Sequence, residues 1–407
     1  MSAPFDRVIL VVLDSVGMGA SKDAARFGDE KSDTLGHIAS WCAKNSKPFF
    51  VPNLNRWGIG ELVTGPGFEK NSKHVASLAS LEEISPGKDT TTGHWEISGT
   101  PLLKEFPTYP QGFADEVLKK WAAENNLAGW LCNAVGSGTQ VLTDYGVEHM
   151  KSGKPIVYTS ADSVWQIAAH EETFGLERLH EICRSARKYA DKLGLGRVIA
   201  RPFLGTSPAD FKRTENRRDY SEMPPEPNML DAFKKAGCFV GGVGKIEDIF
   251  AHRGLTLANH TGRNETSQEA TLDMMKETAG QRGLVFTNLI DFDMLYGHRR
   301  DPAGYADCLM RFDEYLPRLE AQSTERDLII LSADHGNDPT HPGTDHTREH
   351  VPLLFWSKNK AFKAKNFGQL RGFHQIARLS LEALGLDALK EVPSLKETVS
   401  LASEAIS

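Results

Sequence analysis

Three mostly apolar stretches of the chain each stop at an acidic residue. Residues 8–13 read Val-Ile-Leu-Val-Val-Leu and end at Asp14, residues 284–290 end at Asp291 and Asp293, and residues 328–333 end at Asp334. Such runs predict strands buried on both faces, as in a parallel sheet covered by helices. The carboxyl ends of parallel strands share one edge, where open α/β folds place their ligands. Around these strands the pattern predicts helices at 34–42, 228–236, 269–278, 302–320 and 375–384, with extended segments at 74–83, 238–243 and 350–356. The stretch 85–94, in which Thr90, Thr91 and Thr92 lie between glycines, is expected to form a loop with exposed hydroxyls. The tail after Ser394 is expected to fray.

Prolines punctuate this pattern twice, at Pro101, Pro107 and Pro110 (with Pro86 upstream) and at Pro224, Pro225 and Pro227. Between them the periodicity predicts helices at 112–125 and 176–193 and extended pieces at 154–158 and 197–202. The expected organisation is a core in two parts, 1–105 and 222–407, with an inserted α+β cap at 106–221, a natural candidate for a mobile element. The fold class is α/β.

Composition narrows the function. The length of 407 residues, 40% of them hydrophobic, allows a substantial core, and a net charge of -7 argues against a nucleic-acid binder, which needs a broad basic face. The five cysteines are scattered, odd in number and without CxxC spacing, so they are expected to be buried, reduced thiols. The first apolar run is too short for a secretory signal, and no stretch is long enough to span a membrane. The expected location is the cytoplasm, and the oligomeric state stays open, a monomer included.

The chemistry concentrates in residues 328–350, which hold Asp334, His335, Asp338, His341, Asp345, His346 and His350. With Asp14, Asp293 or Asp291, and His298, they form a mixed Asp/His set suited to two divalent cations, manganese or zinc rather than calcium. Three carboxylates against two such ions leave one positive charge, which attracts phosphate and suits in-line displacement. Taken singly, an Asp after a strand is as readily a turn former or helix cap.

Five motifs carry a resemblance. They are Asp14-Ser15-Val-Gly, Gly87-Lys-Asp-Thr-Thr-Thr-Gly-His-Trp-Glu96, Tyr158-Thr-Ser-Ala-Asp-Ser163, Asp291-Phe-Asp-Met-Leu-Tyr-Gly-His-Arg-Arg-Asp301 and Ala333-Asp-His-Gly-Asn-Asp-Pro-Thr-His-Pro-Gly-Thr-Asp-His-Thr-Arg-Glu349. In this order the chain resembles the prokaryotic phosphopentomutase family of the alkaline phosphatase superfamily. The resemblance implies an alkaline-phosphatase-like core with a mostly parallel sheet, an inserted cap and two Mn2+ ions. One ion would be held by Asp14, Asp334 and His335 and the other by Asp293, His298 and His346, while Thr90 would be the phosphorylated nucleophile. It also implies a sugar bisphosphate primer, such as glucose 1,6-bisphosphate or a pentose bisphosphate.

Ser160, Asp162, Arg197, Arg201, Arg213 and Arg217 of the cap, with Lys245 of the core, are candidates for gripping the distal phosphate and sugar hydroxyls, since the guanidinium fork binds phosphate bidentately. The rival readings are a metal-dependent phosphomonoesterase, a serine-using phosphoglycerate mutase, and a non-catalytic protein whose Asp/His loop staples the fold.

Overall fold

The computed structural model describes residues 3–160 and 163–405. It divides into two compact units, one formed by the residues up to Lys104 and from Pro224 onward, the other by Glu105–Met223.

The first unit is built on an eight-stranded sheet in the order Leu257–Asn259, Phe239–Val243, Gly283–Leu289, Arg7–Leu13, Asp327–Ser332, Val351–Trp356, Ser77–Glu82, Asn366–Arg371. Val351–Trp356 runs against its two neighbours and every other pairing is parallel. The three strands expected from the apolar runs are the middle of this sheet, and all seven residues of Arg7–Leu13 are buried. Its two edges have no apolar signature: Leu257–Asn259 is wholly exposed and Asn366–Arg371 nearly so. Arg7, buried at the foot of the central strand, pairs with Asp327 on the next strand and donates to Met275 O and Thr278 Oγ1.

Two expectations are corrected. The threonines open a helix, Thr90–Ile97, instead of lying in a loop, because the Asp89 carboxylate caps it by accepting from the backbone N–H of Thr91 (3.1 Å) and Thr92 (3.2 Å). A cap of this kind contributes about 1 kcal/mol and outweighs the small propensity penalty of β-branched residues in a first turn. Thr92 is buried, so its hydroxyl is not exposed. The tail is anchored by Leu395, Leu401 and Ala405, all buried, and by a hydrogen bond from Lys363 N to Ala405 O.

The second unit has its own sheet, ordered Leu131–Val135, Ile156–Thr159, Val164–His170, Arg197–Leu204, Lys212–Arg213, with Arg218–Ser221 also pairing to Arg197–Leu204. Helix Leu176–Leu193 lays Leu179, Ile182, Cys183, Ala186 and Ala190 into a core that includes Trp121 and Trp165. That three-and-four spacing is what the sequence displays. Cysteines 42, 183, 238 and 308 are free and buried; Cys132 is free and half-buried. Among the described residues no helix is long and apolar enough to cross a membrane.

Candidate metal centre

Register brings the first carboxylates together. Arg7–Leu13 lies between Gly283–Leu289 and Asp327–Ser332, with Leu13 opposite Leu289 and Val12 opposite Ser332, so the residues that follow emerge on one edge. Asp14 Oδ2 accepts from Asn288 Nδ2 at 3.0 Å, and Asp334 Oδ1 accepts from the backbone N–H of Ser15 at 3.0 Å. Ser15 has φ of 75°, a left-handed conformation unusual for serine, and this turns the chain sharply enough to aim that N–H. His335 Nε2 then lies 3.5 Å from Asp14 Oδ1 and 3.4 Å from Asp334 Oδ2.

The second set comes from less regular backbone. Asp293 sits in a wide, π-type turn, Phe292–Gly297, and faces His298 Nε2 at 3.1 Å and His346 Nε2 at 3.4 Å. Asp293, His335 and His346 offer ligand atoms within 4.8 Å of one another, as do Asp14, Asp334 and His335, which places His335 in both groups. His298 joins through Asp293 and through His346, whose Nε2 is 3.1 Å from its own.

The donor set fits cations. Asp14 Oδ1 and Asp334 Oδ2 are buried with no hydrogen-bond partner. His298 Nδ1 is engaged by Thr344 O at 2.7 Å, so its Nε2 is the atom turned toward Asp293 and His346. Burial, then the Asp334 and Asp293 carboxylates, push Asp14 up to about 7. Burial opposes charge on His335, yet the carboxylates of Asp334, Asp14 and Asp293 carry it up to about 9. Asp293 is held well below the usual carboxylate range, its burial outweighed by His346 and His298. Crowded carboxylates with orphaned oxygens and facing imidazoles are what a divalent cation relieves.

Thr90 Oγ1 is 3.1 Å from His335 Nε2, the residue common to both groups. The Thr92 hydroxyl donates to Asp89 Oδ2 at 2.5 Å and so is committed elsewhere. A Cβ at Gly93 would lie 2.1 Å from the backbone oxygen of Asp334, so glycine is what allows the helix start to approach the centre.

The remaining candidates separate. Asp291 is taken by Arg263 and by the N–H of Asn264. Asp338 accepts from Thr340 and Asp33 N and pairs with His37, while Asp345 meets Lys88. Lys245 is half-buried just beyond Phe239–Val243, whose carboxyl end shares the edge that carries Asp14.

In the second unit Arg201, Arg213 and Arg217 come together around a hollow of about 240 Å³, with Pro202 and Thr214. Arg217 is bidentate to Asp219, which Arg197 approaches at 3.7 Å. Ser160 is half-buried after Ile156–Thr159, and Asp162 lies outside the described residues. His94 was not anticipated. It is fully buried, with Nδ1 2.9 Å from Thr90 O and 3.1 Å from Asp334 Oδ2, and its position four residues after Thr90 on one helix was the available signal.

A family model described as the metalloenzyme superfamily matches residues 6–388. The phosphopentomutase of Aeromonas salmonicida is 46% identical over 398 residues, covering 94% of this chain and 98% of that protein. That of Shewanella baltica is 48% identical over 387 residues, covering 91% and 95%. A solved structure from Pyrococcus horikoshii aligns with 94% of this chain and 97% of its own at a TM-score of 0.47 and 15% identity, a likeness too distant to argue from. On the family match and these relatives, the chain belongs to the phosphopentomutase family of the metalloenzyme superfamily and is an isomerase.

Proposed function

We propose that the chain interconverts the 1- and 5-phosphates of ribose or 2-deoxyribose in the cytoplasm, through a phosphothreonine at Thr90 and a sugar bisphosphate. The observation that carries this is the Thr90 hydroxyl, at the start of a helix and in contact with the imidazole shared by both ligand groups. Asp14, Asp334 and His335 would hold one Mn2+ and Asp293, His298 and His346 the other. When bound, such a pair supplies Lewis-acid charge to the transferring phosphoryl oxygens and eases deprotonation of an attacking hydroxyl.

The chain's own residues position the reaction. The helix N-terminus at Thr90 favours an anionic phosphate there. In the first half-reaction a hydroxyl oxygen of the sugar monophosphate bonds to phosphorus as the bond from phosphorus to Thr90 Oγ1 breaks, and the hydroxyl proton ends on Thr90 Oγ1. The bisphosphate reorients, and the same step in reverse returns the other phosphate to Thr90. Arg201, Arg213 and Arg217 are proposed to hold the phosphate that is not reacting, with Ser160, Asp162, Arg197 and Lys245 on the sugar hydroxyls and distal phosphate. Glucose 1,6-bisphosphate or a pentose bisphosphate would supply the first phosphoryl group.

The test is to incubate Mn2+-loaded protein with ribose 1-phosphate and glucose 1,6-bisphosphate, follow ribose 5-phosphate, and map the phosphopeptide. Product with label on Thr90, and neither in Thr90→Ala, is the expected result. Label on Thr91 or Thr92 overturns the nucleophile assignment. Release of inorganic phosphate faster than isomerisation identifies a phosphomonoesterase instead.

A further inference from the structure

The Arg300 guanidinium is surrounded by acceptors, four of them from the loop 337–345 and one from the Phe292–Gly297 turn. Its Nη1 donates to Asn337 Oδ1 (2.7 Å), Asp338 O (2.9 Å) and Gly297 O (3.1 Å), its Nη2 to Asp345 O (3.0 Å), and its Nε to Gly343 O. Arginine has no acceptor and an ionised carboxylate no donor, so the orientation of the Asn337 amide between Arg300 and Asp293 is forced. The amide oxygen faces the guanidinium, and Nδ2 donates to Asp293 Oδ1 at 2.7 Å. Asn337 is completely buried, and a Cβ at Gly297 would come within 2.8 Å of its side-chain amide, so the amide is clamped from behind.

All three groups of one half of the centre depend on this guanidinium. Asp293 is oriented through Asn337. His298 is oriented through Thr344 O, whose flanking residues Gly343 and Asp345 both give their carbonyls to Arg300. His346 follows Asp345 directly. The other half has different supports, namely Asn288 on Asp14 and the Ser15 N–H on Asp334.

We infer that Arg300 and Asn337 are positioning residues that set the metal affinity of the Asp293, His298 and His346 half alone. The inference rests on the two-metal reading above. Groups that hydrogen-bond to metal ligands commonly change affinity 10- to 100-fold when removed, and a brace that serves one half predicts an effect confined to that half.

The experiment is a calorimetric titration of the metal-free full chain with Mn2+ alone, comparing the unaltered protein with Arg300→Ala, Arg300→Lys and Asn337→Ala. Thermal unfolding of each metal-free variant serves as the folding control. The unaltered protein is expected to bind two ions. Each variant is expected to bind one ion normally and the second about 10- to 100-fold more weakly. Lysine should not rescue, because one ammonium cannot serve Asn337 Oδ1, Gly343 O and Asp345 O together. In an Asp14→Asn background, which keeps only the Asp293 half, adding Arg300→Lys should weaken the remaining binding by the same 10- to 100-fold.

Fewer than two ions in the unaltered protein overturns the two-metal reading and the inference with it. Two ions there, with equal weakening of both or no change in the variants, overturns the inference alone.

Discussion

Asp14, Asp334 and His335 stand at the ends of adjacent parallel strands with side chains no more than 4% exposed, whereas the His298 side chain is 40% exposed and that of His346 14%, both carried on irregular backbone. The first half of the centre is fixed by the pleat and register of the sheet, which cannot shift without moving the core of the first unit. The second half is fixed by a guanidinium and an amide that hold a loop in place. Strand ends supply rigidity, and the loop supplies access and room to adjust.

The largest effect expected from this contrast is at Asp334. Asp334→Asn removes a proposed metal ligand from a buried site, and kcat is expected to fall about a thousandfold, roughly 4 kcal/mol in the barrier. A fall of less than tenfold, measured by the ribose 1-phosphate assay, would show the strand-borne half to be dispensable. Next comes Gly93→Ala, which sets a methyl group against the Asp334 carbonyl. An unfolding titration is expected to show a loss of about 1–3 kcal/mol, together with lower activity as Thr90 is pushed from His335.

His298→Ala should be milder in kind. Its half-exposed position leaves the fold intact, and the defect, about 100-fold or more in Mn2+ affinity, should be recovered by raising the Mn2+ concentration. Recovery by added metal in Asp334→Asn as well would erase the distinction between the halves.

The smallest effect concerns Glu349, which accepts from Gly19 N, Thr34 and Thr347 and braces the loop against the first strand's turn. Burial pushes it from 4.5 up to about 7. A folded value above the unfolded one means that its contribution to stability is complete below about pH 4.5 and is lost as the pH rises through 7. The melting midpoint should therefore decline by a few degrees across that window and do so less in Glu349→Gln, as read by calorimetry at matched ionic strength.

The same contrast explains what the sequence could and could not say. The apolar runs before Asp14, Asp293 and Asp334 announce buried strands because burial on both faces leaves no polar positions, and parallel register then brings Asp14 and Asp334 to one edge. Asp89 is a readable helix start, since an acidic residue before a first turn is a capping signature, and it overrides the loop propensity of the three threonines. Arg300, Asn337, Asn288 and His94 carry no such mark. Asn288 meets Asp14 across 274 positions of the chain, and Asn337 meets Asp293 across 44. Their roles come from tertiary contact, and side chains of these types are common on any surface. The arginines of the second unit were legible as a class, and the structure selects Arg201, Arg213 and Arg217 as the three that line one hollow.

The central position of Arg7–Leu13 has a consequence for how the molecule is made. This strand is synthesised before both of its neighbours, which begin at Gly283 and Asp327, and its buried partner Asp327 is 320 positions away. A nascent chain that stops before Gly283 carries an apolar strand with two open edges and a single candidate ligand, Asp14, while the compact unit at Glu105–Met223 is already synthesised. Translation that stalls between residues 223 and 283 should therefore release a chain with an aggregation-prone strand at Arg7–Leu13, and a site that needs His346 can assemble only once that residue has been synthesised.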